Sequence, residues 1–266
     1  MTDGDVGPAS GPNSSTRSGV ARDDRAEPGL DPAGVEIEPV SAQSVFADRV
    51  GLARRYVASL AVDGVVRGLI GPRETGRLWS RHVLNSAVVG TLLTSGCRVL
   101  DIGSGAGLPG IPLAIARADC EFVLVEPLER RIVFLQQVVS DLGLTNCRVV
   151  RGRAEQVIGE CGDADVVTSR AVAPLEKLAA WSAPLLRIGG ELLGLKGSSA
   201  PDEILRDGVA VANSGVVDLE VVTVGGEFVD PATVVIRGRR IAVAKSGADT
   251  NVGRTRGRAD RPPGRR

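Results

Sequence analysis

The run Cys97-Arg98-Val99-Leu100-Asp101-Ile102-Gly103-Ser104-Gly105-Ala106-Gly107-Leu108-Pro109-Gly110 leaves this chain few ways to fold. Val99, Leu100 and Ile102 predict a short buried strand, and it stops at a cluster of glycines. Glycine lets the backbone take positive φ and brings its N–H groups close to a ligand with no Cβ in the way. From Leu108 to Ala116 a helix is predicted, its prolines confined to the first turn, where no N–H is needed. Strand, glycine turn and helix start together form a cradle for a nucleotide cofactor at the carboxyl end of a parallel strand.

Spacing narrows the cofactor. A dinucleotide fingerprint, G-x-G-x-x-G, would need glycine at 108, where leucine stands. The run is instead Asp-x-Gly-x-Gly-x-Gly, with Asp101 two residues ahead of Gly103. It resembles the first motif of class I S-adenosylmethionine (SAM) methyltransferases. On this stretch alone a plain tight turn is the structural alternative, and the candidate cofactor contacts are Asp101, Gly103 and Gly105.

Later segments repeat the strand–loop–helix rhythm. Phe122 to Val125 predicts a second strand ending in Glu126, whose carboxylate can accept both hydroxyls of an adenosine ribose. Leu128 to Leu142 is apolar on one face and predicts a helix. After a third strand, Arg148 to Val150, the loop Gly152-Arg153-Ala154-Glu155 offers an acid and backbone N–H groups to an adenine edge. Asp165 to Ala171 is the fourth strand, with Ser169-Arg170 where a substrate should lie. A helix is predicted over Pro174 to Ile188, then a fifth strand, Glu191 to Leu195, runs into Lys196-Gly197. Ala200 to Ala212 predicts another helix, and Val216 to Val224 with Thr233 to Ile236 an antiparallel pair at a sheet edge. The sum is a mostly parallel α/β sheet. Ahead of it, Gln43 to Ala61 predicts an amphipathic cap helix, and Leu78 to Ser86 begins a helix holding His82, the only histidine. A core-bonded histidine is the plain reading of that residue, and an Arg81-His82 pair on the substrate side is the functional one.

A chain of 266 residues suits one large domain, and no apolar run approaches the ~20 residues of a membrane span. The N-terminus shows no basic-then-apolar signal pattern. Cys97, Cys120, Cys147 and Cys161 form no C-x-x-C pair and read as small buried hydrophobes rather than disulfide or zinc partners. A soluble, reduced, cytoplasmic protein without a metal is expected. The formal net charge of zero hides an acidic start (net −5 over residues 1–38) and a basic end (net +8 over 237–266). Residues 1–38, poor in large apolar side chains, and the Arg-rich tail 246–266 are expected to be disordered. The tail is either a low-complexity extension or a non-specific electrostatic contact with RNA. Between them lies one domain, 39–245, with a helical cap at 43–95 and a cofactor-binding core at 96–241.

With these segments in hand, the chain resembles the bacterial 16S ribosomal RNA guanine-N7 methyltransferases, the glucose-inhibited division protein B family. The matching blocks are Arg81 to Ser86, Asp101 to Pro112, Arg130 to Leu135, Ser169-Arg170-Ala171 and Leu195-Lys196-Gly197, in the family's order across 43–240. The resemblance implies a class I SAM methyltransferase (Rossmann-like) fold, with a seven-stranded, mostly parallel sheet whose last strand is antiparallel. It implies SAM as cofactor, with contacts at Gly103 and Leu108, adenine-side contacts at Ala154 and Glu155, and a cofactor or target contact at Arg170. It implies methylation of a guanine in the 530 loop, nucleotide 527, with 16S ribosomal RNA or the small ribosomal subunit as partner; a monomer is expected. Gly68-Leu69-Ile70-Gly71 stands where many members carry a Trp-Asn and Asn-Leu-Thr pattern, so the cap departs most from the family.

Guanine N7 carries no proton, so methyl transfer to it needs alignment rather than a general base. Arg170 and Lys196 are expected near the target, with Arg81 and His82 positioning it. Methylation of another RNA is one alternative. An NAD oxidoreductase would share the fold and Glu126, but Leu108 breaks its fingerprint, and the only tyrosine, Tyr56, lies in the cap. A non-catalytic RNA-binding module, suggested by the basic tail, leaves the cofactor cradle unexplained.

Overall fold

A computed structural model describes residues 29–170 and 173–243. Seven strands, β1 (Arg98–Ile102), β2 (Glu121–Glu126), β3 (Cys147–Arg151), β4 (Ala164–Arg170), β5 (Leu186–Lys196), β6 (Val216–Val224) and β7 (Thr233–Arg240), form one sheet. Its order is β3-β2-β1-β4-β5-β7-β6. The first five are parallel, and β7 runs antiparallel between β5 and β6, as anticipated. Chain progression reverses between β1 and β4, which opens a crevice at their carboxyl ends, the standard ligand position in such sheets.

Both faces of the sheet are covered, which is why its central strands read as continuous apolar runs. Val99, Phe122 and Leu124 point into one core, with the cap and helices α4 (Gly110–Ala116) and α5 (Glu129–Leu142). Leu100, Ile102, Val123 and Val125 point into the other, beneath α6 (Ile158–Cys161), α7 (Leu175–Ser182) and α8 (Ala200–Asn213). Alternation along each strand divides the same apolar run between two layers.

The cap follows the predicted apolar spacing: Phe46, Val50, Ala53, Val57 and Leu60 are all buried. The single predicted helix is divided into α1 (Ser41–Phe46) and α2 (Val50–Ser59), because Ala47 takes φ 49 and interrupts the ladder. The chain then widens into π-helical turns at Leu60–Gly64 and again at Leu78–Leu84, before the short α3 (Asn85–Ala87). Tyr56 pins the cap to the glycine turn by donating its hydroxyl to the Ala106 carbonyl at 2.8 Å.

Two expectations are corrected. The helix predicted over 174–188 ends at Ser182, and Leu186 already belongs to β5, paired with Ala164. Gly189, at φ +80, and Gly190 let β5 bend without ending, so glycines that look like a boundary lie inside a strand. Part of the supposed disordered extension is docked on the cap. Glu36 is buried; its backbone N–H donates to the Thr75 carbonyl at 3.1 Å, and its carboxylate accepts the Ser80 N–H at 3.0 Å. Glu38 pairs with Arg54. These acids find partners that composition does not reveal. Residues 1–28 and the tail from 244 onward lie outside the described residues.

Gly110, the first residue of α4, sits where the helix meets β1 and β2. A Cβ there would lie 2.2 Å from Leu124 Cδ2 and 2.8 Å from Asp101 Oδ2. Gly110→Ala should therefore lower stability by about 1–3 kcal/mol, seen as a lower urea midpoint with an unchanged slope.

Candidate active site

β1 ends at Ile102, and the chain reverses through Gly103 (φ +70), Gly105 (φ +59) and Gly107 (φ +99). The turn is fastened to the end of β2. Gly103 and Ser104 donate their N–H groups to the Val125 carbonyl, at 2.8 and 3.2 Å, and Gly105 donates to Glu126 Oε2 at 3.0 Å. At Gly107 a Cβ would stand 2.4 Å from Ile111 Cδ1, so packing alone demands glycine. At Gly105 a Cβ would meet only the Gly103 carbonyl, at 3.8 Å. The space above Gly105 is left open by the protein and faces a cleft, as a cofactor cradle requires.

That cleft holds about 780 Å³ between the ends of β1, β2 and β4 and the cap. Gly103, Gly105 and Leu108 form its floor, with Glu126 on one side and Ala154 and Glu155 beyond it. Glu126 is buried, and besides Gly105 it accepts the Leu128 N–H at 3.0 Å and Arg131 Nη1 at 3.4 Å. A carboxylate has about four acceptor positions, so about one is left to receive a ribose hydroxyl. Six sequence-predicted cofactor residues (Gly103, Gly105, Leu108, Glu126, Ala154, Glu155) thus share one cavity.

Asp101 does not line it. Fully buried beneath the turn, it accepts the Gly110 N–H at 3.0 Å through Oδ2, while Oδ1 has no hydrogen-bond partner among the described residues. The expectation of a cofactor contact there is corrected: this acid holds the start of α4 against β1. Burial pushes its carboxyl up to about 7, against the opposing pull of the Gly110 N–H and Ser104, and the nearby Glu126 charge adds to the rise.

At the β4 end of the cleft, Arg170 reaches the cap. Its Nη1 donates to the carbonyls of Arg81 and His82, at 3.3 and 3.4 Å, and to Ser86 Oγ at 3.5 Å; its Nη2 donates to His82 Nδ1. The other ring nitrogen, Nε2, lies 2.8 Å from Glu74 Oε2. Burial, reinforced by the Arg170 guanidinium, pushes His82 down to about 4, so the ring is neutral at pH 7. Burial also lowers Arg170 from its ordinary value. Arg81 borders the same cleft with its side chain mostly exposed.

Lys196, expected beside Arg170, is not brought there. Its ammonium donates to the Ala173 carbonyl at 3.0 Å and to Glu203 Oε2 at 2.7 Å, in a smaller cavity lined also by Ser199, Asp202 and Arg206. The α8 carboxylate, one turn into its helix, draws the side chain away from the cleft. Glu74, Arg131 and Trp181 line the cleft without having been singled out from the sequence. Glu74 lies in a short 3₁₀ segment, Pro72–Arg77, with no periodicity to reveal its facing. Arg131 was within reach, since it follows Glu126 by five residues at the first turn of a predicted helix.

Residues 50–231 match the family model for rRNA small subunit methyltransferase G. The chain is 56% identical over 206 residues to the ribosomal RNA small subunit methyltransferase G of Rhodococcus jostii, covering 77% of this chain and 90% of that protein. With the like-named protein of Corynebacterium efficiens it shares 52% identity over 204 residues, 76% of this chain and 88% of the relative. Among the described residues no helix is long and apolar enough to cross a membrane, and no three His, Cys, Asp or Glu side chains gather as a metal site.

The Asp101 shift has a measurable sign. Its folded pKa of about 7 lies above the unfolded value, so its favourable contribution is complete below about pH 4 and is lost as pH rises to about 7. His82, held low, acts in the opposite sense but is common to wild type and variant. Denaturant midpoints of wild type minus Asp101→Asn, measured from pH 4.5 to 7.5, should therefore fall steadily with pH.

Proposed function

The chain belongs to the rRNA small subunit methyltransferase G family, and from that premise we propose that it methylates N7 of a guanine in the 530 loop of 16S ribosomal RNA, nucleotide 527. SAM-dependent methylation of ribosomal RNA comes with the family; the atom and the nucleotide are our reading. Family membership also decides against the oxidoreductase alternative. When bound, SAM supplies an electrophilic methyl group on a sulfonium centre.

The residues of the cleft suit that cofactor. Glu126 would take a ribose hydroxyl, the loop at Ala154-Glu155 the adenine, and Leu108 the apolar side of the purine-binding end. The open space over Gly105 would admit the chain that joins sugar to sulfur. Arg170, at the opposite end, offers a fixed guanidinium to a carboxylate or to a base oxygen. Arg81 stands at the exposed rim, where an RNA phosphate can meet it.

One observation carries the choice of N7. Two titratable groups beside Arg170 are already engaged: His82 uses both ring nitrogens, and Glu74 uses one oxygen for His82 and the other for Arg77 Nη2 at 2.7 Å. A hydroxyl acceptor would have to lose a proton; His82 has no free ring nitrogen to take it, and Glu74, held below the usual carboxylate range by its bond to His82 and the nearby guanidinium charges, is a poor base for it. N7 presents a lone pair without deprotonation. The protein's task is then alignment and tolerance of the cationic product.

Chemical mapping of N7-methylguanine on 16S ribosomal RNA, from cells with and without this protein, tests the proposal. The 530-loop modification should vanish in the deletion and return when small subunits are incubated with protein and SAM. A methyl group mapped to another atom or nucleotide would replace our reading. Separately, Glu126→Gln should weaken SAM binding by about 1.5–3 kcal/mol in calorimetry without unfolding the protein.

A further inference from the structure

Arg170 comes from the end of β4, yet among the described residues every acceptor of its guanidinium lies on one short stretch of the cap, residues 81–86. Three of the four acceptors are two carbonyls and a hydroxyl. The fourth is an imidazole nitrogen, which accepts only when it carries no proton. Arginine has donors and no acceptor. His82 Nδ1 must therefore be bare, and the ring proton must sit on Nε2, where it is donated to Glu74 Oε2 at 2.8 Å. Two side chains from adjoining turns of the cap and one from the end of β4 thus form a directed chain, Arg170 N–H to His82 Nδ1, then His82 Nε2–H to Glu74.

We propose that Glu74 is a positioning residue for methyl transfer: by receiving the Nε2 proton of His82 it anchors the ring, and the ring fixes the Arg170 guanidinium at the cleft. Glu74 is itself held from the other side. Arg77 Nη2 lies 2.7 Å from its second oxygen, and Arg81 Nε stands 3.9 Å away. Its carboxyl is kept below the usual range: burial opposes this, but the bond to His82 and the guanidinium charges prevail. The charged groups facing His82 are Glu74, Arg81 and Arg170. The order of charges along the chain, carboxylate, neutral ring, guanidinium, matches the hydrogen-bond direction. Without the carboxylate the Nε2 proton would have no protein partner, and the ring could turn about its side-chain bond. A guanidinium held only by two long carbonyl contacts and a hydroxyl would then lose its fixed plane. A small misplacement at a reacting site can cost up to about 100-fold in rate.

Because His82 is the only histidine in the chain, its state can be read without assignment. In full-length protein free of a histidine tag and carrying ¹⁵N-histidine, the ring should be the Nε2–H tautomer at pH 7.5, with a slowly exchanging N–H proton. That protection should disappear in Glu74→Ala and persist in Glu74→Gln, whose amide oxygen can still accept. Single-turnover methylation of small subunits lacking the modification, at saturating SAM and subunit, should slow roughly 10- to 100-fold in Glu74→Ala. Glu74→Gln should recover most of the rate, and SAM affinity should change little in either. Circular dichroism melts identify variants that fail to fold. A cationic or Nδ1–H ring in the wild type would overturn the proposal. So would a Glu74→Ala variant with wild-type turnover, or a folded Glu74→Gln variant as slow as Glu74→Ala. The spectroscopic arm does not depend on the acceptor atom, so an error in the N7 assignment would show separately.

Discussion

The approach of α4 to β1 is the contact on which the rest of this structure depends. Gly110 has no side chain, so the helix can begin against Leu124 and within reach of the Asp101 carboxylate. That contact holds one end of the glycine turn, while Val125 and Glu126 hold its flank through the backbone of residues 103–105. A turn fastened at both ends keeps its left-handed glycines in place and leaves the space over Gly105 open. Glu126 has two tasks here. It stabilises the turn from below and presents its remaining acceptor capacity to the cleft.

The cap closes the cleft from above and is attached at two points with different chemistry. Near the floor, Tyr56 bonds to the carbonyl of Ala106 inside the glycine turn. Burial raises this phenol well above its ordinary value, so it remains a donor throughout the working range. Near the β4 end, the cap is joined by Arg170 through His82, Arg81 and Ser86. One attachment fixes the cap to the glycine turn, and the other fixes it to the β4 end of the cleft. Two different cap segments, α2 and the turns at 78–87, thus hold the two ends of the cleft. Leu69, Ile70 and Gly71 of the cap line the same cavity.

Much of this was legible beforehand, for a physical reason. Strands buried on both faces, helices with one apolar side and glycines at a turn all leave local patterns, and the mostly parallel sheet and the cradle follow from them. Glu126, Ala154 and Glu155 could be placed because strand ends in a parallel sheet converge on one edge. The patterns failed where glycine lies within a strand, as at Gly189-Gly190, and where acids of apparently unstructured composition bind the cap, as with Glu36 and Glu38.

By itself the sequence determined the layered α/β architecture and the glycine cradle, because each rests on local spacing and burial; Leu108 was added to the cradle only by the family resemblance. Tertiary structure alone decided how the charged groups are shared. Asp101 and Lys196 have the right chemistry for the cleft, but Asp101 is taken by the Gly110 N–H and Lys196 by Glu203. Glu74 sits in a segment with no periodic signal, yet it is the group that His82 reaches. A polar side chain goes to whichever partner satisfies it at least desolvation cost. That partner can lie anywhere in the chain, so no spacing rule announces it.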